Sequence, residues 1–131
     1  MSKNDLQQKQ LEFKMLVNQF QQLQQQSSNL EEHASELVKL KENISILEKE
    51  ETPKEILIPF GAGIFFKGTI IDNKNAVLNV GAKVYTDKTT EDVKNSIQTQ
   101  IEEVGSVINK INEQTEELMA KIEDLQKDLK E

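Results

Sequence analysis

The feature that most constrains this chain is a pair of heptad-spaced apolar series, one near each end of its 131 residues. The first series is Phe13, Leu16, Phe20, Leu23, Leu30, Ala34, Leu37 and Ile44. The second series is Ile97, Ile101, Val104, Ile108, Ile111, Leu118, Ile122, Leu125 and Leu129. Recurring spacings of three and four residues are typical of a helix that buries one narrow stripe against another helix. The chain is therefore predicted to form two coiled-coil helices.

The bounds of these helices follow from capping and helix-breaking residues. The first helix is predicted over residues 5–51, with Asn4 or Asp5 as its cap and Pro53 just beyond its end. The second is predicted over residues 90–131, behind a cap at Thr89 or Thr90. At 1.5 Å per residue each helix is roughly 60–70 Å long. Such matched lengths predict an antiparallel pair within one chain.

The segment between the helices, residues 53–89, is rich in β-prone residues. Four short apolar runs alternate with turn residues, which predicts two consecutive hairpins. The predicted hairpins pair 56–58 with 64–71, and 76–80 with 83–86. Pro59 predicts that the first strand ends there or lies at an edge. The predicted fold class is α+β, a long antiparallel coiled-coil hairpin with two β-hairpins between its helices, forming one subunit over residues 1–131.

The hairpins carry apolar residues that are predicted to lie on both faces of their strands. Two-stranded ribbons are marginal in water, so these strands need further strands beside them and something packed over them. We predict that the segment assembles with the same segment of other subunits. The predicted oligomerisation residues are Ile56, Leu57, Ile58, Phe60, Phe65, Phe66, Ile70, Val77, Leu78, Val80 and Val84.

The charge pattern argues against a nucleic-acid partner. All sixteen basic residues are Lys, and the net charge is −7. Arg is the usual residue for bidentate phosphate and guanine contacts, and an acidic protein repels a phosphate backbone. Residues 1–52 carry −3, residues 53–89 carry +2 and residues 90–131 carry −6, so the predicted helices are acidic and the middle is mildly basic.

The sequence offers no set of catalytic or metal-binding groups. His33 is the only histidine and there is no cysteine, which argues against a zinc or other soft-metal site. The glycines at 61 and 63 lack the Gly-Lys-Ser/Thr continuation of a phosphate loop and are expected to form a tight turn. We predict a protein that is not an enzyme and needs no cofactor.

The lack of a signal-peptide pattern and of a long apolar run predicts a cytoplasmic protein. The residues after Met1 are polar, and no apolar signal region follows them. No run approaches the roughly 18 apolar residues that a membrane helix needs. A cytosolic chain without a membrane partner is expected.

Apolar residues continue to the outer ends of both helices. Helix ends fray because their last turns lack neighbours, and exposed apolar surface commonly marks an interaction site. In the alternative interpretation these residues simply close the coiled coil, and both interpretations can hold. The residues concerned are Leu6, Leu11, Phe13, Leu16, Phe20, Leu118, Ile122, Leu125 and Leu129.

Two stretches of the middle segment resemble the prefoldin family. Residues 56–63, Ile-Leu-Ile-Pro-Phe-Gly-Ala-Gly, are similar to the family's Leu-Val-Pro-Leu-Gly-Ala-Gly. Residues 80–92 are similar to its exit from the second hairpin. Ile64 and Asn79 depart in detail. Two hairpins, where β-class subunits have one, indicate the α class of archaeal type. The resemblance is specific over residues 53–93, and elsewhere rests on the heptad pattern alone.

The resemblance implies a chaperone subunit that acts without ATP. It implies a hetero-hexamer of two α and four β subunits, in which the strands join inter-subunit β-barrels. Coiled-coil tips capture unfolded proteins, which are passed to a group II chaperonin. The apolar residues at the outer helix ends would then be the client-binding residues. A structural coiled-coil filament or spacer of the same fold is the alternative function.

Overall fold

A computed structural model describes residues 2–130 and confirms two long helices with two antiparallel hairpins between them. The elements in chain order are α1 Lys3–Glu48, β1 Lys54–Gly61, β2 Ile64–Ile70, β3 Asn75–Gly81, β4 Val84–Thr89 and α2 Thr90–Lys130. The first and last residues of the predicted span 1–131 lie outside the described residues.

The helix starts are capped by hydroxyl groups. Ser2 Oγ accepts a hydrogen bond of 3.2 Å from the backbone N–H of Asp5, so the prediction of Asn4 or Asp5 as the cap was wrong. At the start of α2, Thr89 Oγ1 accepts from the N–H of Asp92 at 3.1 Å. Thr89 is therefore the cap of α2, one of the two residues predicted.

Helix α1 ends at Glu48, three residues earlier than predicted. The N–H of Lys49 bonds to the Ile46 carbonyl at 3.2 Å, and the N–H of Glu50 bonds to the Leu47 carbonyl at 3.1 Å. Bonds that span three residues tighten the last turn and close the helix before Pro53 is reached.

The two hairpins are separate two-stranded sheets with the same turn chemistry. Ala62 and Gly63 have φ values of 51° and 77°, and Ala82 and Lys83 have 47° and 63°. Positive φ at both central residues is the type I′ geometry, whose twist matches that of the strands. The strand register shifts beside each turn, between Pro59 and Gly61 in the first hairpin. Strand β1 thus continues past Pro59, which an edge strand tolerates.

The chain divides into two compact units that we name by their content. The helical unit comprises residues up to Ser35 and from Glu102 onward. The hairpin unit comprises Glu36–Ile101, with all four strands and the adjoining parts of both helices.

The helices are antiparallel within each unit. In the helical unit, Lys9 Nζ lies 3.2 Å from Asp128 Oδ2, and Ser27 Oγ lies 3.4 Å from Asn112 Oδ1. In the hairpin unit, Lys41 Nζ donates to Gln98 Oε1 at 2.8 Å, and Lys94 Nζ lies 2.8 Å from Glu48 Oε2. In both units, residues later in α1 contact residues earlier in α2, which is the antiparallel arrangement.

Within each unit the helical core is a narrow stripe, as the heptad pattern predicts. Leu37, Ile97 and Ile111 are the buried apolar residues of the described chain. Most other members of the two series are half-buried, because a pair of helices covers each apolar side chain from one side only. Neither helix, within the residues described, combines the length and apolarity needed to cross a membrane.

Candidate functional site

The first hairpin has one apolar face. Residues paired across an antiparallel ladder lie on the same face, and alternate residues of a strand share a face. Pairing of Ile58 with Phe66 and of Lys54 with Ile70 fixes these faces. The apolar face carries Ile56, Ile58, Phe60, Phe66 and Ile70. Phe60 and Phe66 pack ring on ring, with centroids 4.4 Å apart.

The opposite face of this hairpin is mixed. Glu55, Lys67 and Thr69 lie on it, and Lys67 Nζ is 3.6 Å from Glu55 Oε1. Leu57 and Phe65 share that face nearer the turn. The prediction that apolar residues lie on both faces is therefore confirmed for this hairpin, although charged residues share the second face with them.

The second hairpin repeats this arrangement. Leu78 pairs with Thr86, so Leu78 shares a face with Val80 and Val84 beside the turn. The other face holds Val77 opposite Asp87, and Asn79 opposite Tyr85. The prediction of apolar residues on both faces is confirmed here too, with Val77 and Tyr85 beside Asp87 and Asn79 on the second face. Each hairpin thus presents a mainly apolar face, with Lys54 or Lys88 at its helix end, and a mixed face.

The apolar side chains of the hairpins are largely uncovered within this chain. Phe60 of the first hairpin and Val77 of the second are both 68% exposed. Of the eleven predicted oligomerisation residues, Ile56, Ile70 and Leu78 are half-buried. The exposed ones are Leu57, Ile58, Phe60, Phe65, Phe66, Val77, Val80 and Val84. Contiguous exposed apolar surface of this kind is typical of a protein interface.

Three further apolar residues of the hairpins are exposed and were absent from the predicted set. They are Ile64, Ile71 and Tyr85, of which Ile71 is 81% exposed. Ile64 and Tyr85 are the first residue of β2 and the second of β4, and Ile71 directly follows the end of β2. Their position next to predicted residues in the sequence was a signal that would have found them.

The linker between the hairpins holds the end of α1. Asn73 is 5% exposed, and its Nδ2 donates to the carbonyls of Leu47 at 2.9 Å and Glu50 at 2.7 Å. A third carbonyl, that of Glu48, lies 3.4 Å from the same nitrogen. The last carbonyls of a helix have no partner within the helix, so Asn73 acts as a C-cap supplied from a distant residue.

The next residue, Lys74, connects the linker to both helices. Its Nζ donates to the Glu48 carbonyl at 2.7 Å, where a cation is favoured by the helix dipole. Its own carbonyl accepts from the N–H of Thr90 at 2.9 Å and from the Thr90 hydroxyl at 3.3 Å. The linker therefore holds the end of α1 and the start of α2 together.

An ion pair crosses between the helices at the same place. The hydrogen bond from Lys94 Nζ to Glu48 Oε2, 2.8 Å long, lowers the pKa of Glu48, with a smaller contribution from the Thr90 hydroxyl. In the linker itself, the hydrogen bond from the Asn75 side chain and that from the Lys74 backbone lower the pKa of Asp72. Both carboxylates are held in their charged form.

The outer helix ends lie in the helical unit, where all nine predicted client-binding residues are found. Two of them, Leu6 and Leu11, are exposed, and Leu11 is 61% exposed. The other seven are half-buried, namely Phe13, Leu16, Phe20, Leu118, Ile122, Leu125 and Leu129. No residue of this set is fully buried.

An open groove of about 610 Å³ brings three of these residues together. Leu11 and Phe13 of α1 line it with Leu129 of α2, beside Gln7 and Lys14. Met15, which the predicted set lacked, is exposed one helical turn beyond Leu11. The four-residue spacing from Leu11 was the signal for it, because residues i and i+4 share a helix face.

The described residues were searched for a candidate metal site. Residues 2–130 contain no group of three or more His, Cys, Asp or Glu side chains placed to hold a metal ion. The exposed apolar residues of the hairpin faces and the outer helix ends are suited to contacts with other proteins.

Comparison with known proteins gives the same family throughout. A family model described as prefoldin subunit matches residues 3–131. Prefoldin subunit alpha of Methanococcus aeolicus is 32% identical over 127 residues, covering 97% of this chain and 86% of the relative. Prefoldin subunit alpha of Pyrococcus horikoshii is 31% identical over 112 residues, covering 85% and 76%.

A solved structure shares the fold. It is filamentous PFD from Methanocaldococcus jannaschii, determined by electron cryomicroscopy, with a TM-score of 0.75 at 20% identity. The match covers 86% of this chain and 93% of that chain. At this identity the likeness concerns the fold alone.

Proposed function

Because this chain belongs to the prefoldin family, whose members are chaperone subunits that assemble with other prefoldin subunits, we propose that it captures unfolded proteins without ATP. Capture takes place at the outer ends of the helices, and the client is delivered to a group II chaperonin. The assembly is a hexamer of two α-class and four β-class subunits. The hairpins form the contacts between its subunits.

The proposal of client capture is supported by the exposure of the outer helix ends. The nine apolar residues of the outer helix ends are exposed or half-buried, with no residue of the set fully covered. Each half-buried side chain that gains full cover from a client contributes on the order of 1 kcal/mol, about half of the value for complete burial. Several such contacts together suffice for reversible binding of unfolded chains of varied sequence, because burial of apolar surface is not directional.

The hairpins support the assembly step. Their apolar faces are continuous along the strands and most exposed near the turns, and each two-stranded sheet has two free backbone edges. Strands from other subunits would satisfy those edges and cover the faces. The middle segment carries a charge of +2, whereas the segments that form the helices carry −3 and −6. Assembly through the hairpins therefore keeps the acidic helices, which repel one another, out of the contacts between subunits.

Capture is tested by aggregation of a denatured client, followed by light scattering, with this chain assembled with a β-class partner and no nucleotide present. We expect suppression of aggregation. The variant Leu11→Ser/Leu129→Ser removes two residues of the groove and is expected to weaken suppression severalfold while assembly persists. The matched control is Val38→Ser/Val107→Ser, since Val38 and Val107 are 42% and 43% exposed elsewhere on the helices.

Two results would count against this proposal. If the assembled protein failed to suppress aggregation, capture would be wrong. If both double variants weakened suppression equally, the outer helix ends would have no special part in capture. Delivery is tested separately, by adding a group II chaperonin and measuring transfer of a labelled client.

A second candidate is a structural filament or spacer. It is favoured by the likeness in fold to filamentous PFD from Methanocaldococcus jannaschii. Electron microscopy of the chain alone and with a β-class partner separates the two. Open-ended polymers under both conditions would support the filament, whereas closed particles with the partner would support the hexamer.

A further inference from the structure

The apolar stripe of the helical unit is interrupted by a polar layer, which we define as Ser27, Asn112 and Thr115. Ser27 and Thr115 both occupy the heptad position that holds Phe20 and Ile122 in the neighbouring heptads. Ser27 is 9% exposed, so its hydroxyl is almost removed from water. Two hydroxyl groups thus stand where the pattern calls for large apolar side chains.

The hydrogen bonds of this layer hold the two helices together weakly. Ser27 Oγ donates to Asn112 Oδ1 at 3.4 Å, long for a bond between oxygen atoms. Thr115 Oγ1 donates to the Ile111 carbonyl of its own helix at 2.7 Å and so makes no bond across the pair. The Ser27 hydroxyl regains strong hydrogen bonds in water when the helices separate, and the bond of Thr115 within its own helix is kept, which lowers the cost of separation.

Packing at the layer is also incomplete. A cleft of about 310 Å³ opens there, lined by Gln24, Ser27, Ser28, Glu31, Asn112 and Thr115. On one side of the layer, Ile111 is buried to 5% exposure. On the other side, toward the chain ends, lie all nine apolar residues of the outer helix ends, each exposed or half-buried. The layer therefore separates these nine residues from Ile111, the buried apolar residue of this unit.

We propose that the polar layer is a built-in breaking point of the coiled coil. On its terminal side, residues 3–26 of α1 separate from residues 116–130 of α2 in one cooperative step. The apolar stripe on the other side of the layer stays closed. The layer thereby sets how many apolar residues become available together. This last step rests on the proposed capture of clients, whereas the breaking point itself does not.

The test is hydrogen exchange of the full chain followed by mass spectrometry. The variant Ser27→Leu/Thr115→Ile restores apolar residues to the layer and is expected to slow exchange on the terminal side by roughly tenfold. The matched control is Ser35→Leu/Thr99→Ile, the same substitutions at exposed helix positions, where Thr99 makes the same bond to its own helix as Thr115. The control is expected to leave terminal exchange unchanged.

Equal terminal exchange in the filled variant and the wild type would overturn the proposal. Slowing of the same size at residues 36–48 would also overturn it, because that result means general stabilisation. Should the filled variant fail to fold, Ser27→Asp gives the opposite test, with roughly tenfold faster exchange expected on the terminal side alone. Unchanged exchange in that variant would overturn the proposal as well.

Client capture is measured on the same variants after assembly with a β-class partner. Slowed exchange together with weaker capture supports both the breaking point and its role in capture. Slowed exchange with undiminished capture leaves the breaking point supported and contradicts capture through separated helix ends. The two proposals can therefore fail independently.

Discussion

The hairpins and the helices of this chain use apolar residues in opposite ways. On the helices, the stripe of each is covered by the other helix, and Leu37, Ile97 and Ile111 are buried within the single chain. On the hairpins, aromatic and branched side chains such as Phe60 and Phe66 remain mostly exposed. The helical stripe therefore stabilises the fold of one chain, whereas the hairpin faces are available for contacts between chains.

The largest expected effect is on assembly. Phe60→Ser/Phe66→Ser removes the aromatic pair of the apolar hairpin face, with a cost of about 3–6 kcal/mol if both rings are buried on assembly. That cost weakens assembly by at least about 100-fold. Native mass spectrometry with a β-class partner measures it. The control Thr69→Ser lies on the mixed face of the same hairpin and should assemble normally; a doubly substituted chain that assembled normally would contradict the comparison.

Next in size is a change on the helical stripe. Ile111→Ala empties a buried site and is expected to lower the free energy of unfolding by about 2–4 kcal/mol. Circular dichroism during thermal unfolding measures this loss. Val107→Ala, at a 43% exposed position of the same helix, should cost well under half as much. Similar losses in the two variants would mean that the stripe is not the source of stability.

The linker tests whether the two regions are coupled. Asn73→Ala leaves the last carbonyls of α1 without their side-chain partner and should cost about 1–3 kcal/mol in unfolding free energy. Asn75→Ala, at the exposed first residue of β3, removes only a side-chain hydrogen bond to Asp72 and is the matched control with a smaller expected loss. Thermal unfolding compares them. Equal, small losses would show that the distant cap contributes little.

The smallest expected effect depends on pH. Lys94 lowers the pKa of Glu48 from its ordinary value of 4.5. The ion pair therefore stabilises the fold fully above pH 4.5, and this contribution is lost as the pH falls through the lowered pKa of Glu48. Between pH 6 and pH 3 the wild type should lose more stability than Glu48→Gln. Glu36→Gln, an exposed control on the same helix, should keep the acid dependence of the wild type. Parallel curves for wild type and Glu48→Gln would contradict this.

The elements were predictable because they depend on local periodicity. Heptad spacing places Phe13 and Leu16 on one helix face wherever the helix lies, and turn residues such as Gly63 mark a hairpin without reference to distant residues. The cap of α1 was mispredicted because Ser2, Asn4 and Asp5 all have suitable side chains and only the first turn selects among them. Faces of the hairpins required the register, which sequence alone left open.

The part that could not be predicted involves residues far apart in the chain. Asn73 belongs to no apolar series, and its partners, Leu47 and Glu50, lie 26 and 23 positions earlier. Likewise Ser27 is an unremarkable break in a heptad until Asn112 and Thr115 are found beside it. No periodicity records such pairs.

The sequence by itself determined two amphipathic helices, two hairpins and a surplus of apolar residues between them, because hydrophobic period and turn chemistry act over a few residues. It also carried the motifs of the prefoldin family. Only the tertiary structure decided which apolar residues the chain covers for itself and which it leaves exposed, and where a polar layer interrupts the stripe. Burial depends on what lies opposite a side chain, and that is set by pairing between distant segments.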